Sequence, residues 1–355
     1  MSIDELTDAQ LAGQRLMVGF EGTELTDELK THIDTHLVGG IILFAINLES
    51  PEQIRRLCDD IQTYAKRCGQ PPLLIAVDQE GGEVARLKPP FTQFPGNPNI
   101  RTEAEAVAFA RITGGEMLSV GINMDMAPVL DVADPLVDSI MVGRVFGTDP
   151  HQVADLGTAV IATLQQQGVM AVAKHFPGIG RTVLDSHFEL PQCEADTSAL
   201  EGCDLIPFQR AIDGGVAAIM LSHILYPQLD AEWPASLSVA IAKDLLRVRM
   251  GYRGVVVTDD LDMKAIADHY DIDTAVERIL AADIDIALIC HKGPGIEAAS
   301  HALRTAVAAD DRCREACRDS VVRILALKRR YLDGADSGPE GPRRRRWGAA
   351  SRHRW

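Results

Sequence analysis

Short runs of apolar residues recur along the chain, each followed by a stretch whose apolar positions repeat at helical spacing. The runs are 16–20 (LMVGF), 40–44 (GIILF), 73–77 (LLIAV), 122–128 (INMDMAP), 169–173 (VMAVA), 217–221 (AAIML), 254–258 (GVVVT) and 284–289 (IDIALI). They are rich in Val, Ile and Leu and lack polar alternation, as strands buried on both faces should. The segments between them open on helix-start signals. Ser50-Pro51 with Gln53 supplies a cap, a proline in the first turn and a capping-box partner, and Ile54, Leu57, Ile61 and Tyr64 form one apolar stripe. Thr102 with Glu105 repeats the capping pattern, Asp149-Pro150 opens another helix, and Ser238 caps one that stops at Gly251. Eight strand–helix units predict an α/β protein whose parallel sheet closes into a single (β/α)₈ TIM barrel. The alternative is an open doubly wound sheet, which would carry a GxGxxG turn after its first strand, and none is present.

Composition bounds this picture. The 355 residues suffice for one barrel of about 250 residues with additions. After Tyr331 the composition changes, and residues 332–355 hold six Arg and three acidic residues with nothing to build a core. The expected division is a barrel domain over 1–331 and a short, basic, disordered tail over 332–355. The net charge of −16 argues against nucleic acid as a partner. Seven cysteines are an odd number without CxxC spacing. Cys313 and Cys317 lie a helical turn apart but lack a second pair for zinc, so no metal or other cofactor is expected. Reduced cysteines, no apolar leader and no membrane-length apolar run lead us to expect a cytoplasmic protein, and a monomer.

The ends of the strands carry the candidate chemistry. Active sites of such barrels gather at the C-terminal strand ends. Here those ends read Asp78-Gln79-Glu80 with Arg86 beyond, Asp131 with Arg144 on its loop, Lys174-His175 followed by Asp185 and His187, Ser222-His223, Asp259-Asp260 and Cys290-His291. A buried core has little use for so many polar groups, and a shared pocket accounts for them. Metal-assisted hydrolysis is disfavoured by the lack of HExxH or clustered His. Schiff-base chemistry would have to use Lys174, which serves as readily as a hydrogen-bond donor. Glycoside hydrolysis needs a carboxylate at the anomeric carbon and a group that both gives and takes a proton. Asp259 or Asp260 can be the first. His187, oriented by Asp185, can be the second, because imidazole titrates near neutrality and a carboxylate fixes its tautomer.

The segments AVDQEGGEVAR (76–86), KHFPGIG (174–180), DSH (185–187) and VVVTDDLDMKAI (255–266), in that order, resemble the family 3 glycoside hydrolases. The likeness is in particular to the single-domain bacterial β-N-acetylglucosaminidases of peptidoglycan recycling, and it spans roughly residues 10–330. It implies a (β/α)₈ barrel and retaining hydrolysis through a covalent glycosyl-enzyme. It assigns Asp259 as nucleophile, His187 as acid/base with Asp185 as its partner, and Asp78, Arg86, Arg144, Lys174 and His175 as sugar contacts. The expected ligand is a small carbohydrate, a glycoside of N-acetylglucosamine. Where the family loop reads KHFPGHGDT, this chain has Ile179 and Arg181, and Arg181 would favour an anionic leaving group. Three rivals remain. They are a phosphorylase on the same scaffold, a non-catalytic sugar-binding barrel, and a phosphate-binding barrel prompted by HKGPG (291–295), a stretch that also reads as a plain turn.

Overall fold

The computed structural model describes residues 2–184, 186, 189–291 and 294–333. Asp185 and His187 lie outside them, as does the basic segment beyond Asp333.

All eight apolar runs form strands: β1 (Leu16–Val18), β2 (Gly40–Leu43), β3 (Leu74–Val77), β4 (Met124–Asp125), β5 (Met170–Phe176), β6 (Ala218–Leu221), β7 (Val255–Asp260) and β8 (Ile286–Ile289). Every barrel pairing is parallel, and β1 closes the cylinder on β8, with Leu16 opposite Ala287. β4 is shorter than its apolar run, because only Met124 and Asp125 pair on both sides, and contact with β5 resumes at a Val129–Lys174 bridge. The structure is therefore a single (β/α)₈ TIM barrel.

Residues along each strand alternate between two apolar environments. Met17, Ile42, Leu74, Ala76, Met124, Met170, Val172, Ala218, Met220, Val255, Val257, Ile286 and Leu288 fill the barrel interior. Their neighbours, among them Val18, Ile41, Ile75, Ala171, Ile219, Val256 and Ala287, face the surrounding helices. Both faces of every strand are thus buried, which is why no polar alternation marks the sequence.

The helices start where their caps predict. Ser50 Oγ accepts from Gln53 N at 3.2 Å, Thr102 and Glu105 form a complete capping box, and Asp149 caps the helix beginning at Pro150. Gln53 departs from the expectation, since its side chain accepts from Glu49 N rather than from Ser50 N. Ser238 caps residues Val239–Arg249, which wind as a π-helix and end with Met250 N donating to Leu245 O. Among the described residues no helix is long and apolar enough to cross a membrane.

The last helix, Asp311–Leu332, seals the N-terminal end of the barrel with Ile324 and Leu327. Beside them Lys328 is 2 % exposed and donates to Gln14 Oε1 and Gly39 O, with no carboxylate paired to it among the described residues. Burial pushes its pKa down to about 7. The unfolded chain therefore holds a proton that the folded chain releases between about pH 7 and the ordinary lysine value, and stability rises with pH across that window. Replacing Lys328 with Met should remove this slope, as read from urea unfolding at pH 7 and pH 9.

Candidate active site

Val255 and Val257 face the barrel interior, but the register of β7 against β8 shifts between Val257 and Asp260, so strand alternation does not choose between the two carboxylates that follow. Their surroundings differ: His223, His175 and Lys174 act on the Asp259 carboxyl, whereas Asp260 accepts from Cys290 N and Asp262 N. Asp78, just after β3, Lys174, on β5, and Asp259, on β7, gather above the apolar plug.

Lys174 is the hub. Its ammonium lies 2.8 Å from Asp78 Oδ1 and 2.7 Å from Glu80 Oε1 and is 3 % exposed. Arg144, on the loop after β4, forks onto Glu80, with Nε 3.0 Å from Oε2 and Nη2 2.7 Å from Oε1. Burial alone would raise the Glu80 pKa, but Lys174 and Arg144 outweigh it and hold Glu80 at about 2. Burial likewise opposes the charge on Lys174, and Asp78 and Glu80 reverse that, leaving its pKa above the ordinary value. Arg86 approaches Asp78 at 3.8 Å, and among the described residues its Nε finds no hydrogen-bond partner.

A second unit is built on Asp131. Its Oδ2 meets His175 Nδ1 at 2.8 Å, and its Oδ1 accepts from Ile179 N at 2.8 Å and His175 N at 3.3 Å. The carboxylate fixes both the imidazole and the start of the loop that follows β5. The register of β5 against β6 shifts between Ala173 and Phe176, breaking the strict alternation at His175.

Asp259 and Asp260 are held in different protonation regimes. Burial would raise the Asp259 carboxyl. His223, His175, the Asp260 N–H and Lys174 prevail over it and keep the group below the usual carboxylate range. Asp260 is pushed up to about 6, first by burial and then by the charges of Asp262 and Asp259. The two adjacent carboxyls are thus driven apart by their different surroundings. His223 bridges the two strands, its Nε2 donating to Asp260 O at 2.8 Å and its Nδ1 lying 2.7 Å from Ser236 Oγ.

Of the residues expected at the site, Asp78, Arg86, Arg144, Lys174, His175 and Asp259 come together at one barrel mouth, while Asp185 and His187 lie outside the described residues. Glu80, Asp131 and His223 are visible in the sequence as strand-end polar groups without an assigned role. Their functions depend on partners far away in sequence, which no local signal marks. Asp260, Asp262 and His291 bring one potential ligand atom each within 4.8 Å of the others. That grouping of oxygens with a histidine is not expected from spacing. It is already tied by hydrogen bonds from Cys290 N to Asp260 and from His291 N to Asp262. Cys317 packs against Arg15 Nη1, and Cys313 against Asp310. Arg181 is paired with both Asp134 and Asp204.

A barrel mouth that holds an ionised aspartate among lysine, arginine and imidazole groups has the groups that glycosidase chemistry needs. The model of the Glycosyl hydrolase family 3 N terminal domain matches residues 7–327, and the chain belongs to that family. It is a glycoside hydrolase. A β-hexosaminidase of Alkalilimnicola ehrlichii is 38% identical over 293 residues, covering 80% of this chain and 82% of that protein. One from Pseudomonas aeruginosa is 37% identical over 295 residues, covering 81% and 86%. Among solved structures, a family 3 β-N-acetylglucosaminidase from Paenibacillus sp. str. FPU-7 superposes with a TM-score of 0.89 at 39% identity. The match covers 94% of this chain and 64% of that longer one. A β-N-acetylhexosaminidase from Beutenbergia cavernae gives a TM-score of 0.84 at 29% identity, covering 91% and 99%.

Glu80→Gln would leave Lys174 and Arg144 short of a buried countercharge, and breaking such a pair costs about 3–5 kcal/mol. The variant should unfold at lower urea concentration than wild type. It should also lose the stability component that wild type carries above the ordinary glutamate range and gives up as pH falls toward about 2.

Proposed function

We propose that this protein is a retaining exo-β-N-acetylglucosaminidase, removing terminal β-linked N-acetylglucosamine from muropeptides or related glycosides. The observation that carries the reading is the place of Asp259 at the barrel mouth among His223, His175 and Lys174, which keep its carboxyl below the usual range. A nucleophilic carboxylate has to be ionised and aimed at the anomeric carbon.

In the proposed mechanism an Asp259 carboxylate oxygen attacks the anomeric carbon while His187 gives its proton to the departing glycosidic oxygen. Asp185 orients that imidazole. His187 then removes a proton from water, whose oxygen attacks the anomeric carbon and frees Asp259, so one water is consumed for each sugar released. Asp78, Arg86, Arg144, Lys174 and His175 are the proposed substrate contacts. Of these, Asp78 offers acceptor lone pairs beside a fixed ammonium, and Arg86 Nε offers a donor with no partner among the described residues. Lys174 is neutralised by Asp78 and Glu80 and fully enclosed, which suits a hydrogen-bond donor rather than a Schiff-base nucleophile. An assignment to peptidoglycan recycling as a cytoplasmic monomer, divided as a barrel domain and a basic tail, belongs to the same proposal.

The test is a panel of 4-nitrophenyl β-glycosides assayed with and without inorganic phosphate. Wild type should release nitrophenol and free N-acetylglucosamine, prefer that sugar over glucose, and be indifferent to phosphate. Formation of N-acetylglucosamine 1-phosphate would replace hydrolysis with phosphorolysis. Asp259→Asn should lose several powers of ten in kcat, roughly 10³-fold or more, with an unchanged circular dichroism spectrum. A variant of undiminished activity would rule out covalent catalysis by this residue.

A further inference from the structure

Past the end of β4 the chain runs on beside β5. Leu130 N donates to Lys174 O at 2.6 Å and Lys174 N donates to Pro128 O at 3.2 Å, which sets Asp131 next to His175. Asp131 is wholly enclosed and His175 is 5 % exposed. The two oxygens of the Asp131 carboxylate serve different ends. Oδ1 accepts from the backbone, at Ile179 N and His175 N, while Oδ2 meets the ring at Nδ1. The His175 backbone is fixed on its other side too, since Gly178 N donates to His175 O at 2.8 Å. Ring and main chain are held together, and the imidazole has little freedom to turn over.

An ionised carboxylate only accepts, so the His175 ring carries a proton on Nδ1 and leaves Nε2 for another partner. Among the described residues no hydrogen bond engages Nε2. The ring is near enough to Asp259 to act on that carboxyl, which sets it at the mouth. A ring fixed at one nitrogen presents the other in a single direction, so a ligand group finds it already in place.

We infer that Asp131 is a positioning residue, whose hold on Nδ1 aims Nε2 of His175 at a hydroxyl of the bound sugar. The inference rests on the reading of His175 as a sugar contact and goes beyond it, because Asp131 is enclosed and acts through the ring. Asp131→Asn separates the two tasks of this carboxylate. The amide oxygen still accepts from Ile179 N and His175 N, which turns the amide NH2 toward Nδ1. That group donates to the ring, so Nδ1 gives up its proton and the tautomer reverses.

The experiment measures kcat/KM on 4-nitrophenyl N-acetyl-β-glucosaminide for wild type, Asp131→Asn, His175→Ala and the double variant. Asp131→Asn should be slower than wild type by roughly 10- to 100-fold. The double variant should match His175→Ala to within about twofold, because a residue that acts only through the ring has nothing left to act on. Losses that multiply, or an Asp131→Asn enzyme as fast as wild type, would overturn the inference and leave the glycosidase reading intact. NMR of enzyme carrying ¹⁵N-labelled histidine supplies a readout that a merely structural role would not move. The His175 signals, identified by their absence from His175→Ala, should show Nδ1 protonated in wild type and bare in Asp131→Asn. A bare Nδ1 in wild type would overturn the inference even if the Asn variant folds poorly. A wild type that hydrolyses no N-acetylglucosaminide would remove the sugar site, and the inference with it, whatever the spectrum shows.

Discussion

An ammonium group enclosed in a parallel barrel has to be neutralised where it stands, and that constraint at Lys174 organises the mouth of this enzyme. An enclosed ammonium without a countercharge tends to give up its proton, as Lys328 does, and Lys174 keeps its charge because two carboxylates stand within 2.8 Å of it. One of them, Glu80, then needs a second cation, and Arg144 is brought in from the loop after β4. A lysine from β5, two acids from β3 and its extension, and an arginine from a long loop become one rigid unit. Such a unit has its hydrogen-bonding groups in place before a sugar arrives, so little ordering remains to be done on binding.

The field of that unit reaches the pair on β7. His223, His175 and Lys174 keep Asp259 ionised, while Asp260 is raised by its own burial and its acidic neighbours. Asp131 anchors the neighbouring region in a comparable way, since a single carboxylate fixes His175 and the first turn of the loop after β5. Arg181 continues that anchoring outward to Asp134 and Asp204. The site is therefore rigid on the side of the barrel and fastened at the root of the loop that carries Asp185 and His187.

Much of the architecture is legible in the chain. Eight apolar runs become eight strands, since a strand covered on both faces needs apolar residues at every position and leaves a continuous signature. The caps at Ser50, Thr102, Asp149 and Ser238 act locally, within three residues, and each stands where its sequence signal places it. That same continuity hides the choice between Asp259 and Asp260, for with both faces apolar there is no alternation to show which way a side chain turns. The pairing of Arg181 is hidden for a related reason, since nothing nearby announces Asp204, 23 residues on, as its partner.

What the sequence determined by itself was the succession of buried strands, the starts of the helices and the kinds of residue at the strand ends, because each depends on composition over a few neighbouring positions. What only the tertiary structure decided was pairing: Glu80 with Arg144 across 64 residues, Lys174 with Asp78 across 96, and His175 with Asp131 across 44. Charges choose their partners by distance in space and by the cost of being left alone in a low dielectric. Neither quantity exists until the barrel has closed.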